Sequence, residues 1–288
     1  MQESNYTTHT VTSQDGTVIG YRKLGQGPGV VVLHGAFESA ESHMELAETL
    51  MGTYTVYLPD RRGRAMSGPY NAKYSPQQDV EDMEAILSAT GAHYAFGVSS
   101  GAVVWLAAAR TLTAIHKMVL YEPALSINGS FDFCPGLKKY NDQMEQGNVA
   151  AAMVAAMKGA QLGPRILYIM PEWLVVWLTD RMLRGEKRHA TQDQITMEEL
   201  APLFHYDGQL ITEMGEQIDS LKAIQAETLL LSGSASPTYL KTAIDGLKSI
   251  LPHADCLEFQ GLDHSASGNT NRGGKPAVVA AELRRFFI

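Results

Sequence analysis

The sequence predicts a doubly wound α/β fold, in which helices cover both faces of a mostly parallel sheet and a helical cap is inserted between two strands. Three observations support this prediction. Short β-prone runs alternate with segments of helical spacing along most of the chain. Several of these runs are wholly apolar, which is typical of strands buried on both faces of a parallel sheet. Between residues 123 and 226 the alternation gives way to helical segments alone.

The N-terminal part of the chain predicts a hairpin followed by alternating strands and helices. Asp15-Gly16 is a turn signal between two β-prone runs, so the first two strands are expected to be antiparallel. The run VVVL at residues 30–33 predicts the first buried strand. Further elements are predicted at residues 41–51 (helix), 54–58 (strand), 75–90 (helix), 93–98 (strand), 100–110 (helix) and 117–121 (strand).

The remaining elements divide the chain into a core and a cap. Residues 1–122 and 227–288 are predicted to form the α/β core, and residues 123–226 the helical cap. Helical spacing within the cap is found at residues 143–158, 171–183, 197–204 and 209–224. The core pattern resumes with elements at residues 228–231 (strand), 238–250 (helix), 255–259 (strand) and 276–287 (helix).

Composition and charge narrow the class of protein. The 288 residues are 45% hydrophobic and 19% charged, which is ordinary for a globular enzyme. A net charge of −8 without a basic stripe argues against nucleic-acid binding, because a phosphate backbone would be repelled. The start of the chain, MQESNYTTHT, lacks the basic and apolar regions of a signal peptide, so a cytoplasmic protein is expected. The sequence leaves open whether the chain forms a homodimer.

The most apolar stretch, at residues 166–178, does not predict a membrane span. Pro171 and Glu172 interrupt it, and it is shorter than the roughly 20 residues that a spanning helix needs. It predicts a core or pocket-facing segment, and a helix lying on a surface is the alternative. No stable membrane insertion is expected.

Neither a metal nor an organic cofactor is predicted. The two cysteines, Cys134 and Cys256, lie in no metal-binding pattern and are expected to be buried free thiols. The sequence contains no H-E-x-x-H, no P-loop, and no G-x-G-x-x-G between a strand and a helix. The glycine-rich residues 25–29 precede a strand instead of following one, which indicates a simple loop.

Residues 97–101 read GVSSG, which matches the pattern G-x-S-x-G. They lie between a predicted strand and a predicted helix, where this pattern exposes its serine on a sharp turn at the carboxyl edge of the sheet. The glycines avoid side-chain clashes in so tight a turn. Ser99 is therefore a candidate nucleophile, although the same pattern could be a tight turn without function.

Together with this pattern, three separated motifs give the chain a resemblance to the α/β-hydrolase superfamily over nearly its whole length except the cap. Residues 33–36 (LHGA) resemble the oxyanion loop of that family, residues 60–64 (DRRGR) its loop after the fourth strand, and residues 261–264 (GLDH) its histidine loop. The resemblance implies an α/β-hydrolase fold with Ser99 as nucleophile and His264 as general base. It also implies that the backbone N–H groups of Ala36 and Ser100 stabilise the oxyanion, with Phe37 as a neighbour.

The carboxylate that would orient His264 is harder to find. The family most often carries it after the strand predicted at residues 228–231, in a G-x-x-D pattern, but residues 233–237 read GSASP. Glu122 ends the strand that follows the helix of the candidate nucleophile, at the same sheet edge, so it is the predicted acid. Asp263 is expected to point away from its neighbour His264.

The cap is expected to select the substrate. Its aromatic and methionine side chains suit a bulky apolar small molecule, and Tyr140, Trp173 and Trp177 are candidate pocket residues, although many of these side chains would pack between helices. The predicted reaction is hydrolysis of an ester or lactone through an acyl-enzyme. A carbon–carbon bond hydrolase or lyase, or a small-molecule binding protein without turnover, are the alternatives on this fold.

Overall fold

An eight-stranded sheet forms the centre of the computed structural model, which describes residues 5–71, 73–127, 129–164, 166–191 and 194–288. The strand order is β1-β2-β4-β3-β5-β6-β7-β8, and every pair from β4 to β8 is parallel. The pair β1–β2 is antiparallel, as the predicted hairpin requires, and the pair β2–β4 is antiparallel as well. The strands are β1 (Thr7–Thr12), β2 (Val18–Leu24), β3 (Gly29–Leu33), β4 (Thr55–Pro59), β5 (Tyr94–Val98), β6 (Lys117–Tyr121), β7 (Glu227–Gly233) and β8 (Ala254–Phe259).

Helices alternate with these strands as predicted. Helix α2 shows the sequence signals at both ends: Pro76 occupies its first turn, and Gly91 ends it with a φ of 64° that suits glycine. The helices of the alternating part are α1 (Met44–Leu50), α2 (Pro76–Thr90), α3 (Ser100–Ala109), α10 (Thr238–Ile250) and α11 (Pro276–Phe287). The described residues between β6 and β7 contain α4 (Cys134–Glu145), α5 (Val149–Gly159), α6 (Ile166–Ile169), α7 (Glu172–His189), α8 (Met197–Leu200) and α9 (Phe204–Glu216).

The sheet separates two hydrophobic clusters, which explains why its central strands are apolar on both faces. One cluster includes Val31, Leu120 and helix α3, and the other includes Val30, Val119 and helix α11. All ten residues of α3 are buried, so this helix is enclosed by protein on every side. The prediction of a doubly wound, mostly parallel sheet is confirmed.

The segment between β6 and β7, called here the helical insertion (residues 123–226), contains no strand within its described part. The helix predicted at residues 143–158 was wrong, because the chain turns at Gly147, whose φ is 74°, and forms two helices instead. Helix α9 contributes Leu210, Ile211 and Met214 to the cluster around α3. The division into a core and a separate cap remains a prediction, since part of the helical insertion packs into the core.

The structure also bears on the expectations for the two cysteines and for a membrane span. Cys134 and Cys256 are both exposed, which corrects the expectation of buried thiols. Cys256 lies on β8, the strand at one edge of the sheet, where Asp255 and Glu258 are exposed as well. No helix within the described residues combines the length and apolar character that crossing a bilayer requires. The start of the segment that suggested a cytoplasmic protein, residues 1–4, lies outside the described residues.

Candidate active site

Ser99 lies on the sharp turn between β5 and α3, as its pattern predicts. Its backbone has φ 54° and ψ −123°, a conformation that is costly for any residue other than glycine. The Ser99 N–H donates to the Tyr121 carbonyl of the neighbouring strand over 3.0 Å, which helps to hold this turn. This backbone conformation directs the serine side chain into the cavity above the sheet edge.

The two glycines of the motif are required by close backbone contacts. A Cβ atom on Gly101 would lie 2.4 Å from the carbonyl oxygen of His34 and 2.7 Å from that of Leu33. A Cβ atom on Gly97 would lie 2.6 Å from the indole ring of Trp105. Because real Cβ atoms do not tolerate these distances, Gly101 lets α3 approach the loop after β3, and Gly97 lets α3 pack closely on β5.

The loop after β3 is held by hydrogen bonds on both sides of Gly35. The Gly35 N–H donates to Glu38 Oε2 over 2.8 Å, and the Gly35 carbonyl lies 2.9 Å from His34 Nδ1. His34 Nε2 accepts the backbone N–H of Arg61, so its proton is on Nδ1, where it donates to that carbonyl. Burial, together with the charges of Arg64 and Arg61, lowers the pKa of His34 well below its ordinary value, which keeps the ring neutral.

The Ala36 N–H points away from the Gly35 carbonyl, because the two groups belong to the same trans peptide. Ala36 lines the cavity together with Ser99. Ser100 is the first residue of α3, so its N–H has no partner within the helix. Within the described parts of the chain, neither N–H group donates to another protein group. Both are therefore suited to a developing negative charge on a bound molecule.

Glu122 and His264 form a direct hydrogen bond. Glu122 Oε2 lies 2.7 Å from His264 Nδ1, and Glu122 Oε1 accepts the backbone N–H of Gly233 over 2.7 Å. Glu122 is fully buried and has a φ of 45°, so the chain turns sharply at the end of β6 to place it there. The Asp263 carboxylate instead accepts from Ser265, two residues along.

His264 faces the cavity with its other nitrogen available, since Nδ1 is bound to Glu122. Burial lowers the pKa of His264, but the hydrogen bond and negative charge of Glu122 outweigh burial, and the net pKa is raised above 6.5. The charges of Glu38 and Asp263 act in the same direction. An imidazole in this environment accepts a proton more readily than a free histidine.

The cavity above Ser99 has a volume of about 470 Å³ and an almost wholly apolar lining. Phe37 lines it, as predicted, and it contacts Phe204 in a stacked pair with ring centroids 4.9 Å apart. The helical insertion supplies most of the wall, including Met153, Met157, Leu162, Leu167, Val175 and Met182. Such a site favours a bulky apolar ligand.

Three of the predicted pocket residues lie elsewhere, which corrects the prediction. Trp173 and Trp177 are 71% and 51% exposed and lie outside the cavity lining, since α7 turns Val175 and Met182 toward the cavity. Tyr140 is buried within the helical insertion, where its hydroxyl donates to the Ala201 carbonyl. Its side chain packs the helices together, and packing is the ordinary role of apolar residues at helical spacing.

A buried network of ion pairs joins Asp207 to Arg61 and Arg64 near Ser99, and the sequence analysis did not predict it. Asp207, on α9, accepts from Arg61 over 2.5 Å and from Arg64 over 2.8 Å, and all three side chains are nearly fully buried. Arg61 also donates to Ser100 Oγ over 3.1 Å and lies 3.5 Å from Asp79. The DRRGR motif drew attention to the arginines in the sequence. Their partner Asp207, however, lies more than 140 residues further along the chain, in helix α9. The network links the helical insertion to the turn that holds Ser99.

Comparisons with known proteins identify the family to which the chain is similar. The sequence profile of the "Alpha/beta hydrolase family" matches residues 30–281. A curated relative, the "Uncharacterized hydrolase YraK" of Bacillus subtilis (strain 168), is 33% identical over 115 residues, which are 38% of this chain and 42% of the relative. The match therefore spans less than half the length of that relative.

Solved structures share the fold over nearly the whole chain. An alpha/beta hydrolase from Sphaerobacter thermophilus DSM 20745 has a TM-score of 0.78 and 27% identity, covering 97% of this chain and 100% of the other. A thermophilic esterase from Thermogutta terrifontis has a TM-score of 0.69 and 15% identity, covering 99% and 98% of the two chains. The second likeness shows the fold alone.

Proposed function

We propose that this chain, which belongs to the alpha/beta hydrolase family, is a serine hydrolase that cleaves an ester or lactone of a bulky, uncharged, apolar small molecule. The observation that carries the proposal is the 2.7 Å bond between Glu122 and His264 beside the strained Ser99. Nucleophile, base and orienting acid then follow in the chain order Ser99, Glu122, His264.

In the proposed reaction His264 removes the proton of Ser99 as its hydroxyl attacks the ester carbonyl. The negative charge that develops on the carbonyl oxygen is stabilised by the N–H groups of Ala36 and Ser100. His264 then donates its proton to the leaving alkoxide, and Glu122 stabilises the imidazolium in between. Water, activated by His264 in the same way, cleaves the acyl-enzyme and regenerates Ser99.

The cavity supports the choice of substrate. Its volume of about 470 Å³ accommodates a small molecule, and a lining dominated by methionine and aliphatic side chains favours an apolar acyl or alcohol group. The described residues that line the cavity include no lysine or arginine that could pair with a carboxylate on the substrate. The proposed partner is therefore a neutral small molecule.

The test is the reaction of the protein with a fluorophosphonate probe, followed by intact-mass analysis, together with a panel of aryl esters and lactones. We expect one adduct on the parent protein, lost in Ser99→Ala and His264→Ala and retained in His205→Ala, which removes an exposed histidine of α9. Absence of the adduct from folded parent protein would reject the serine-hydrolase mechanism and favour a binding protein with the same cavity.

A further inference from the structure

His43 is a second histidine beside the site, and both of its ring nitrogens face hydrogen-bond acceptors. It ends a short 3₁₀ helix (Ala40–His43) and is 1% exposed. Its Nδ1 lies 3.0 Å from the carbonyl oxygen of Ser267, three residues beyond His264 on the same loop. Its Nε2 lies 3.1 Å from Glu38 Oε2. The ring therefore bridges the loop after β3 and the loop that carries His264.

Glu38, which faces His43 Nε2, also contacts the backbone of the oxyanion loop. Its Oε2 accepts the Gly35 N–H over 2.8 Å, in addition to facing His43. A Cβ atom on Gly35 would lie 3.1 Å from Ser99 Cβ and 3.3 Å from Glu38 Oε2, so Gly35 lies between the carboxylate and Ser99. A shift of Glu38 would move Gly35 and, with it, the N–H of Ala36.

The contacts determine how many protons the pair holds. A carbonyl oxygen only accepts, so the bond to Ser267 places a proton on His43 Nδ1. The contact between Nε2 and the carboxylate needs a second proton, because two lone pairs would otherwise face each other. Burial opposes the charge of Glu38, but the charge and hydrogen bond of His43, with Arg272 and the Gly35 N–H, hold its pKa below the ordinary value. With Glu38 as a carboxylate, the contact geometry therefore assigns the second proton to His43.

We propose that Glu38 and His43 are positioning residues that act as one carboxylate–imidazolium pair, fixing the oxyanion loop relative to the loop of the general base. The proposal rests on the proposed function and adds to it a second pair, of which Glu38 is partly buried and lines the cavity and His43 is fully buried. Glu38 sets the position of the Ala36 N–H through Gly35, and His43 holds the backbone of the His264 loop through Ser267. The contact between Glu38 and His43 thereby holds the oxyanion loop and the His264 loop in a fixed relative position.

Among the described residues, two arginines contact Glu38 in addition to His43. Arg272 Nη2 lies 4.0 Å from Glu38 Oε1 and donates to the Phe37 carbonyl, which places a positive charge at the outer side of the pair. Arg64 Nε donates to the backbone carbonyl of Glu38. Across the cavity, the charge of Glu38 contributes to the raised pKa of His264. These groups favour the carboxylate form of Glu38 and leave His43 as its direct partner.

The protonation of His43 is tested without reference to activity. Long-range ¹H–¹⁵N spectra of the Ser99→Ala protein, with His43 identified by loss of its signals in His43→Gln, report which ring nitrogens carry protons. We expect both nitrogens of His43 to be protonated at neutral pH and one proton to be lost in Glu38→Ala. A singly protonated His43 in the parent background would overturn the imidazolium pair whether or not the protein is a hydrolase.

The positioning role is tested by comparing Glu38→Ala with the conservative Glu38→Gln. Glutamine with its amide oxygen in the place of Oε2 accepts both the Gly35 N–H and a proton from His43 Nε2, as the carboxylate does, so we expect its kcat within about fivefold of the parent protein. Alanine removes both contacts, and we expect kcat to fall about 100-fold with KM nearly unchanged, as for loss of an oxyanion donor. Affinity for a boronic acid transition-state analogue should fall in parallel, whereas affinity for a substrate-like alcohol should not.

The matched control is Glu41→Gln, which changes an exposed carboxylate in the same turn. We expect it to leave kcat unchanged. A Glu38→Ala protein that melts at a lower temperature but keeps its kcat and its analogue affinity would reduce the pair to a structural contact and overturn the proposal. If the parent protein is not labelled by the fluorophosphonate probe, the proposed function fails instead, and the spectra still decide the state of the pair.

Discussion

The carboxylate of Glu122, at the end of β6, accepts the backbone N–H of Gly233, at the end of the neighbouring strand β7, over 2.7 Å. In the family pattern a carboxylate would follow β7 itself, but this sequence has the run GSASP there. The bond to Gly233 fixes one oxygen of Glu122, so that the other remains on His264. The carboxylate that binds His264 is thus supplied from the end of β6 instead of from the end of β7.

Replacing Glu122 by glutamine tests its role in orienting His264. The amide is nearly isosteric but carries no charge and does not stabilise an imidazolium, so we expect kcat to fall by about 1,000-fold to 10,000-fold. Steady-state kinetics on an aryl ester, with circular dichroism as a check on folding, measure the effect. Asp263→Asn is the control, because that carboxylate binds Ser265 instead, and near-parental turnover by Glu122→Gln would assign the role to another carboxylate.

The pH dependence of activity should reflect the raised pKa of His264. The general base must be neutral, so kcat/KM is expected to fall as the pH decreases through this pKa. Because Glu122 raises that pKa above 6.5, the midpoint of the acid limb should lie above 6.5. In Glu122→Gln the midpoint should move to lower pH, because the largest of the charges that oppose burial is then removed and only those of Glu38 and Asp263 remain. An acid limb centred below 6.5 in the parent protein would contradict this expectation.

The sequence predicted the parts of the site that are local in the chain. The turn around Ser99 is encoded in five consecutive residues, and Glu122 could be inferred because parallel strands end at one sheet edge. The pocket lining could not be predicted, because α7 has apolar residues on more than one side. Spacing alone did not decide whether Val175 or Trp173 faces the cavity.

The buried partner of the arginines was missed for a different reason. A single aspartate in a helix has the sequence appearance of a surface charge, and Asp207 becomes buried only when α9 packs on α3. Its contacts with Arg61 and Arg64 join residues 146 and 143 positions apart. Periodicity and short motifs carry no information about pairs at that separation.

Replacing Asp207 by asparagine should strongly destabilise the protein. Arg61 and Arg64 would remain buried, with Asp79 at 3.5 Å as the nearest remaining carboxylate of Arg61. We expect the free energy of unfolding to fall by about 3–5 kcal/mol, because an uncompensated buried charge costs that much. Denaturant unfolding followed by circular dichroism measures it. Asp219→Asn breaks an exposed pair with Lys222 and should cause no measurable change.

A methyl group on Gly101 should disrupt the turn that holds Ser99. Its Cβ atom would lie 2.4 Å from the His34 carbonyl oxygen, so α3 or the oxyanion loop must move. We expect the rate of fluorophosphonate labelling to fall at least 100-fold, about 3 kcal/mol in barrier. Gly52→Ala serves as the control, because its Cβ atom meets nothing within 4 Å. Equal labelling rates in both variants would show that the close approach is not needed.

The placement of the tryptophans determines what the intrinsic fluorescence of this protein reports. Of its three tryptophans, Trp105 is fully buried and donates its indole N–H to the Phe96 carbonyl, whereas Trp173 and Trp177 are largely in water. A soluble quencher should therefore reach two indoles while the protein is folded. Unfolding should shift the emission of Trp105 to longer wavelength more than that of the other two. Replacing both exposed indoles by phenylalanine would leave a protein whose emission reports only on the helix that begins beside Ser99.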